Sequence, residues 1–448
     1  MRQLAGLVGL ALLAVATVAC SPRGADDASS TAAPGASETP PGTLIPTATP
    51  EPGQTAPPPP PLPEALQQVM ERVAEIRGLA PLPGLHAELV ARPDLPALLD
   101  TLLTDDDRKL MAEVTTLYRL LGHFRQDQDY LSIYQSFGAD SILGLYSPAH
   151  DTLWVVYDGE EPTFDSLSPS EEETLAHEFV HALQDYHFDL DGTYDEVGDQ
   201  MDRGLAWTAV VEGDAVVHEA EYTDRYLAVV GAGRAFSFGI LPQVPDVPLS
   251  FIRELLFPYT TGANWVDSLV RSEGVAYVNQ LLLEPPAGTI CVFHLERCLA
   301  GFEPVDIQLP DISRALGPAW RHESGGTLGE FHLGNFLDLE LRLSDALDAA
   351  DGWVGDRYDV YVAGDESAAV FLLEFSSGDE LREFSGALSE LVEGQGGDWR
   401  GSEPRQAETA DGREFVVASL EANRVLIAIG SAAGVGEAAY AAVHEGTP

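Results

Sequence analysis

Residues Ser168 to Asp189 read SPSEEETLAHEFVHALQDYHFD and specify both a helix and a chemistry. Ser168 is an N-cap residue, Pro169 suits the first helical position, and Glu171, three residues after the cap, completes a capping box. An α-helix advances about 100° per residue, so His177 and His181 present their imidazoles on one face, a turn apart. Two nitrogen ligands at that spacing suit a tetrahedral Zn²⁺. Glu178 reaches the edge of the same site without being a ligand, where a general base for an activated water stands. Leu175, Phe179, Ala182 and Leu183 form an apolar stripe and Ala176 and Val180 a second flank, so the helix is expected to be buried with its His/Glu face lining a cleft.

A zinc site of this type needs a third protein ligand, and two residues compete for the place. Glu212 lies in the apolar run WTAVVEGDA, where an unpaired carboxylate would be costly and therefore needs a cation or a strong partner. Gly213 beside it leaves room for close helix approach. His187, six residues after His181, would complete a three-histidine pattern in every position except Gln184, where that pattern has glycine for a sharp left-handed exit from the helix. If the helix continues instead, His187 lies about 9 Å further along the axis than His181. Backbone cost favours Glu212, and His187 stays as the alternative.

The balance of 24 Lys+Arg against 72 Asp+Glu gives a formal charge of −48, which excludes nucleic acid or anionic lipid as a partner surface. Residues 1–20, MRQLAGLVGLALLAVATVAC, have the Arg2 n-region, apolar stretch and small residues of an export signal, and Ala19-Cys20 looks like a bacterial lipobox with Thr17 in place of the usual Leu. A lipid-anchored Cys20 on the outer face of the bacterial cell membrane is the expectation. Residues 21–63, rich in Pro, Ala, Ser and Thr, cannot bury a core and form an extended tether. Export permits a Cys291–Cys298 disulfide, and two free buried thiols are the alternative.

Helical periodicity runs from Glu64 to about Phe124 in three segments, read as an integral part of the first domain. Residues 141–158 read as two strands joined by a turn at Pro148–Asp151, a hairpin whose edge strand could pair with an extended substrate. A second helical run follows from Leu205 to about Val229. From about Ala349 the order β-β-α-β-β-α predicts a small open α/β sandwich without a ligand cluster. Tyr259 is a candidate oxyanion stabiliser or a core tyrosine, and His294 and His332 are equally ambiguous. His218, four after Asp214, reads as one half of a surface pair.

With HEFVHALQDYHFDL followed by VVEGDA, the chain resembles the gluzincin metallopeptidases, and more closely a group of bacterial lipoprotein-type HExxH proteins with an HALQD core and a downstream EGDA. The likeness extends through residues 257–286 and GTLGEF at 326–331. It implies His177, His181 and Glu212 as zinc ligands and Glu178 as base. Thermolysin-like enzymes commonly have Asp four residues after the ligand glutamate, where this chain has Val216. The imidazoles must therefore be oriented from elsewhere, with Asp214 and Glu219 as candidates.

The expected fold is α+β: a mostly helical zincin-like metallopeptidase domain with a small sheet at 64–345, then a small α/β domain at 346–448. The expected activity is zinc-dependent hydrolysis of a peptide or protein substrate. A zinc hydrolase of a non-peptide amide, such as a cell-wall linkage, and a non-catalytic surface lipoprotein are the alternatives.

Overall fold

The computed structural model describes residues 62–159, 167–198, 200–227, 246–421 and 423–446. The export signal, Cys20 and the tether up to residue 61 lie outside the described residues. In chain order the principal elements are α1 (Glu64–Arg77), β1 (His86–Ala91), α2 (Asp105–Leu121), β2 (Gly144–Ser147), β3 (Thr152–Tyr157), α3 (Pro169–Phe188), α4 (Met201–Tyr222) and α5 (Leu249–Phe257), then β4 (Arg321–Gly326), α6 (Gly329–Leu337), β5 (Trp353–Ala363), β6 (Glu366–Phe375), α7 (Gly378–Gly394), β7 (Arg405–Glu408), β8 (Glu414–Glu421), β9 (Arg424–Gly430) and α8 (Val435–Gly446). The chain is a mixed α+β protein with two small sheets.

The first sheet has the order β1-β3-β2, with β1 parallel and β2 antiparallel to β3. The hairpin lies where its alternation placed it. β1 falls between two of the helical segments and was not legible, because HAELVA follows Pro81, Pro83 and Gly84 and offers only a short apolar pattern. One face of this sheet is covered by α1 and α3, through Leu66, Val69 and Val73 packed with Tyr146, Leu153, Val155, Leu175, Phe179 and Leu183. α3 begins as its sequence dictates, since Ser168 accepts from the Glu171 N–H and the Glu171 side chain accepts from the Ser168 N–H. It continues to Phe188 without a break at Gln184.

The second sheet is antiparallel throughout, in the order β4-β5-β6-β9-β8-β7. Alternate residues face two layers: Val425, Ile427 and Ile429 join Phe384, Leu388 and Leu391 of α7, whereas Leu426 and Ala428 meet Ala439 and Val443 of α8. The boundary expected at 345/346 is corrected here. β4 pairs with β5 from Arg321 onward, so the sheet begins well before that point. RHESGG, with two glycines and no apolar residue, gave no strand signal, and as an edge strand it needs little of one. Nor do the two parts have separate cores, because Leu117 and Leu121 of α2 lie in one cluster with Val360, Phe371 and Ile427 of the sheet.

Two buried aspartates hold the start of α6, one from the sheet and one from the helical part. Asp356 of β5 accepts from the N–H groups of Leu328 and Gly329 at 2.9 and 3.0 Å, capping α6. Asp202 of α4 accepts from the Thr289 N–H at 3.0 Å. Gly329 has φ +71°, and a Cβ there would overlap the Asp202 carboxyl, which is the physical reason for glycine in GTLGEF.

Candidate metal centre

α3 and α4 cross with their polar residues facing inward. His177 Nε2 and His181 Nε2 stand 3.0 Å apart, Glu212 Oε2 lies 3.3 Å from the first and 3.5 Å from the second, and all three residues are buried. Ligands about 2.0–2.2 Å from a shared tetrahedral centre stand about 3.3–3.6 Å apart, so the triangle is close to the size at which three such atoms could share one ion, its His177–His181 edge being somewhat short. The close crossing depends on glycine. A Cβ on Gly213 would stand 2.7 Å from Val266 Cγ2 and 2.8 Å from the Gly262 carbonyl oxygen.

The other ring nitrogens fix what the triangle presents. His177 Nδ1 donates to Glu219 Oε2 at 2.9 Å. His181 Nδ1 is 2.9 Å from Gln184 Oε1, and the Gln184 amide nitrogen donates to Val211 O at 2.9 Å and Asp214 Oδ2 at 2.8 Å. With its amide hydrogens committed to two acceptors, Gln184 must turn its oxygen to His181 and accept from Nδ1–H. In the neutral imidazoles both Nε2 atoms are therefore acceptors, converging with a carboxylate oxygen in a dry site. Such a set is stabilised by a positive charge at its centre, either a metal ion or a proton. Burial opposes a charge on His177, but hydrogen bonds to Glu212 and Glu219 hold its pKa well above the ordinary imidazole range, so the metal-free site keeps a proton there.

Support reaches the cluster through several elements. Asp214 is paired with Arg77 of α1, Nε to Oδ2 at 2.8 Å, with both side chains fully buried. Burial opposes the Asp214 charge, yet Arg77 and then His218 pull its pKa well below the usual carboxylate range. The line Arg77–Asp214–Gln184–His181 ties α1 into the site, in keeping with an integral N-terminal segment. Tyr259, in the π-helical turn Pro258–Gly262, donates to Glu212 Oε1 at 2.8 Å and thereby orients that carboxylate. Glu178 is 2% exposed and accepts the Tyr146 N–H at 2.8 Å from edge strand β2. Burial raises its pKa, while His177 and His181 act in the opposite direction.

The structure thus brings His177, His181 and Glu212 together, with Glu178 beside them. It keeps His187 apart, with Nε2 donating to the Ala80 carbonyl at 2.8 Å. Both candidates for orienting the imidazoles are in place, Glu219 directly and Asp214 through Gln184. Glu219 follows Glu212 by seven residues, two helical turns, and so shares its face in spite of Val216. Gln184, Arg77 and Tyr259 were not recognised as supports. A polar amide three residues after His181 was a signal for the first, but nothing local marks Arg77. His218 is corrected from a surface to a buried position, with Nδ1 donating to Asp214 O at 2.8 Å. His332 is buried and donates to Leu328 O, and burial lowers its pKa to about 4. Cys291 and Cys298 are free thiols.

Comparison with known proteins touches only the C-terminal sheet: a family described as a domain of unknown function, DUF8575, matches residues 318–440. No curated protein matches the chain, and no solved structure does.

Proposed function

We propose that the chain is a zinc-dependent hydrolase of peptide bonds with a zincin-like catalytic part, exported and anchored to the bacterial membrane through Cys20. The observation that carries this reading is the convergence of two imidazole Nε2 atoms and one carboxylate oxygen within 3.0–3.5 Å of one another, with a second, non-converging carboxylate beside them. His177, His181 and Glu212 would hold the ion. A zinc ion there would supply Lewis acidity toward water and toward the carbonyl of the scissile bond.

The remaining steps belong to the protein. Glu178 takes a proton from the attacking water on a carboxylate oxygen and passes it to the departing amine nitrogen. The Tyr146 N–H holds Glu178 Oε2 and leaves Oε1 for that transfer. Glu219 and Gln184 keep both imidazoles in the tautomer with the lone pair on Nε2. No described helix is long and apolar enough to cross a membrane, so an anchor at Cys20 would hold the folded part through its tether.

Protein prepared without chelator should contain about one zinc per chain by elemental analysis. Glu178→Gln should keep that zinc and lose hydrolysis of a peptide library by about 10²- to 10⁴-fold, because the amide preserves shape but cannot take the proton. Absence of any transition metal, with none taken up on titration, would falsify the metal site. Activity of the variant within a few-fold of the parent would assign the base elsewhere, and cleavage of cell-wall amides alone would change the substrate class.

A further inference from the structure

Beside the metal cluster, on the far side of Tyr259, lies a cavity of about 120 Å³. At about 10–15 Å³ per water-sized position, that is room for a side chain. Thr208, one helical turn before Glu212, and Tyr259, bonded to Glu212, form the wall nearest the cluster. The rings of Tyr130, Tyr194, Phe251, Tyr259 and Tyr358 line the space, and the one acidic residue in its wall is Glu254 of α5. One Glu254 oxygen accepts from the Tyr118 hydroxyl. Among the described residues no Lys, Arg or His forms an ion pair with Glu254 or shifts its pKa, and burial pushes that pKa up to about 7.

A carboxylate among aromatic rings with no basic neighbour is the surrounding that an organic cation seeks, through charge pairing with the acid and attraction to the ring faces. The apolar walls, among them Leu110, Leu205 and Leu255, would cover an aliphatic stem. Because Tyr118 occupies one oxygen, the acid offers a single free acceptor. That suits the point charge of an ammonium better than a planar guanidinium, which takes both oxygens at once. The same choice spares the chain itself, whose 24 Lys+Arg residues include one lysine, Lys109.

We propose that this cavity binds a primary ammonium group on an unbranched aliphatic stem, with Glu254 as its counter-ion, and that the group is a lysine side chain of the substrate. The ammonium site stands on the cavity alone, whereas the lysine assignment rests on the peptide-hydrolysis reading.

The test has two arms. In the first, n-pentylamine and n-pentanol are titrated at pH 8 into the full chain, followed by calorimetry and ligand-observed NMR. The amine should bind the parent and bind Glu254→Gln about ten- to a hundredfold more weakly, the loss expected for one charge-assisted hydrogen bond. The alcohol should be weakened far less. Val114→Phe narrows the cavity from α2 without touching Glu254, and should weaken both probes. It keeps the proposal testable if Glu254→Gln fails to fold. Equal amine affinity in parent and Glu254→Gln, or no effect of Val114→Phe, overturns the site. In the second arm, a peptide library should show lysine enriched near the cut, and Glu254→Gln should remove that enrichment. Cleavage with no lysine preference overturns the lysine assignment. Amine binding through Glu254 without any peptide cleavage supports the ammonium site and refutes the peptide reading on which the lysine assignment depends.

Discussion

Two histidine–carboxylate clusters in this protein have similar composition and opposite electrostatics. In the buried one, once His177 gives up its extra proton, His177, His181 and Glu212 aim acceptors at one point, because Glu219 and Gln184 take the two Nδ1–H donors away from it. In the other, His294 Nε2 lies 2.8 Å from Glu330 Oε1 and 3.1 Å from Asp351 Oδ1, and Arg297 also donates to Asp351 Oδ1 at 3.0 Å. Donors there meet acceptors, and half of the Asp351 side chain faces solvent, 51% exposed. Residue types within reach of one another are therefore a weak criterion for a metal. Where the remaining protons point is a stronger one.

The largest expected effect separates the two clusters outright. Glu212→Gln should lower zinc content from about one per chain to near zero after gel filtration, whereas Glu330→Gln should leave it unchanged. Equal loss from both variants would show that the second cluster binds metal too. His187→Ala should also keep its zinc, and a zinc-free His187→Ala beside a zinc-replete Glu212→Gln would restore the three-histidine set.

The ion pairs behind each cluster differ in the same direction. Arg77→Met leaves Asp214 buried without its cation and should cost about 3–5 kcal/mol in denaturant unfolding. Arg297→Met removes a partly exposed partner and should cost no more than about 1 kcal/mol. Similar costs for the two would mean that burial does not govern these pairs.

Asp202 has a third kind of cation, a proton. Burial pushes its pKa up to about 7, against about 3.9 in an unfolded chain. Through that window the native state retains a proton that the unfolded chain has released, so stability falls as pH rises from about 4 to 7 and levels off above. The loss is up to about 4 kcal/mol. Asp202→Asn keeps an oxygen for Thr289 and should flatten the Asp202 part of the slope. Glu254, raised to about 7, and Asp356, raised to about 6, both by burial, add slopes of the same sign, as do other buried carboxyls such as Glu330 and Asp185. An unchanged pH–stability curve would show that Asp202 is ionised in the native state.

The smallest effect concerns orientation alone. Glu219→Gln keeps the shape of the acceptor and removes its charge, which should weaken zinc affinity about ten- to a hundredfold without abolishing it. No change in a competitive chelator titration would remove Glu219 from the supporting set.

The sequence by itself determined the helix that carries HEFVH, from its capping box to the shared face of His177 and His181, since both follow from spacing within one turn. It also determined the β3 hairpin and most of the C-terminal strands, where alternation is long enough to read. Glu212 was recognisable because a carboxylate inside an apolar run must find partners, and it finds His177, His181 and Tyr259. Tertiary structure decided the rest. β1 and β4 are strands because of the neighbours they pair with, and the two expected domains share a core because α2 lies on the second sheet. Gln184, read as a departure from a glycine pattern, proved to be the residue that turns the His181 lone pair inward. Arg77 supports it from α1, 107 positions earlier by the numbering, and no local pattern foretells a contact that exists only once α1 lies across α3 and α4.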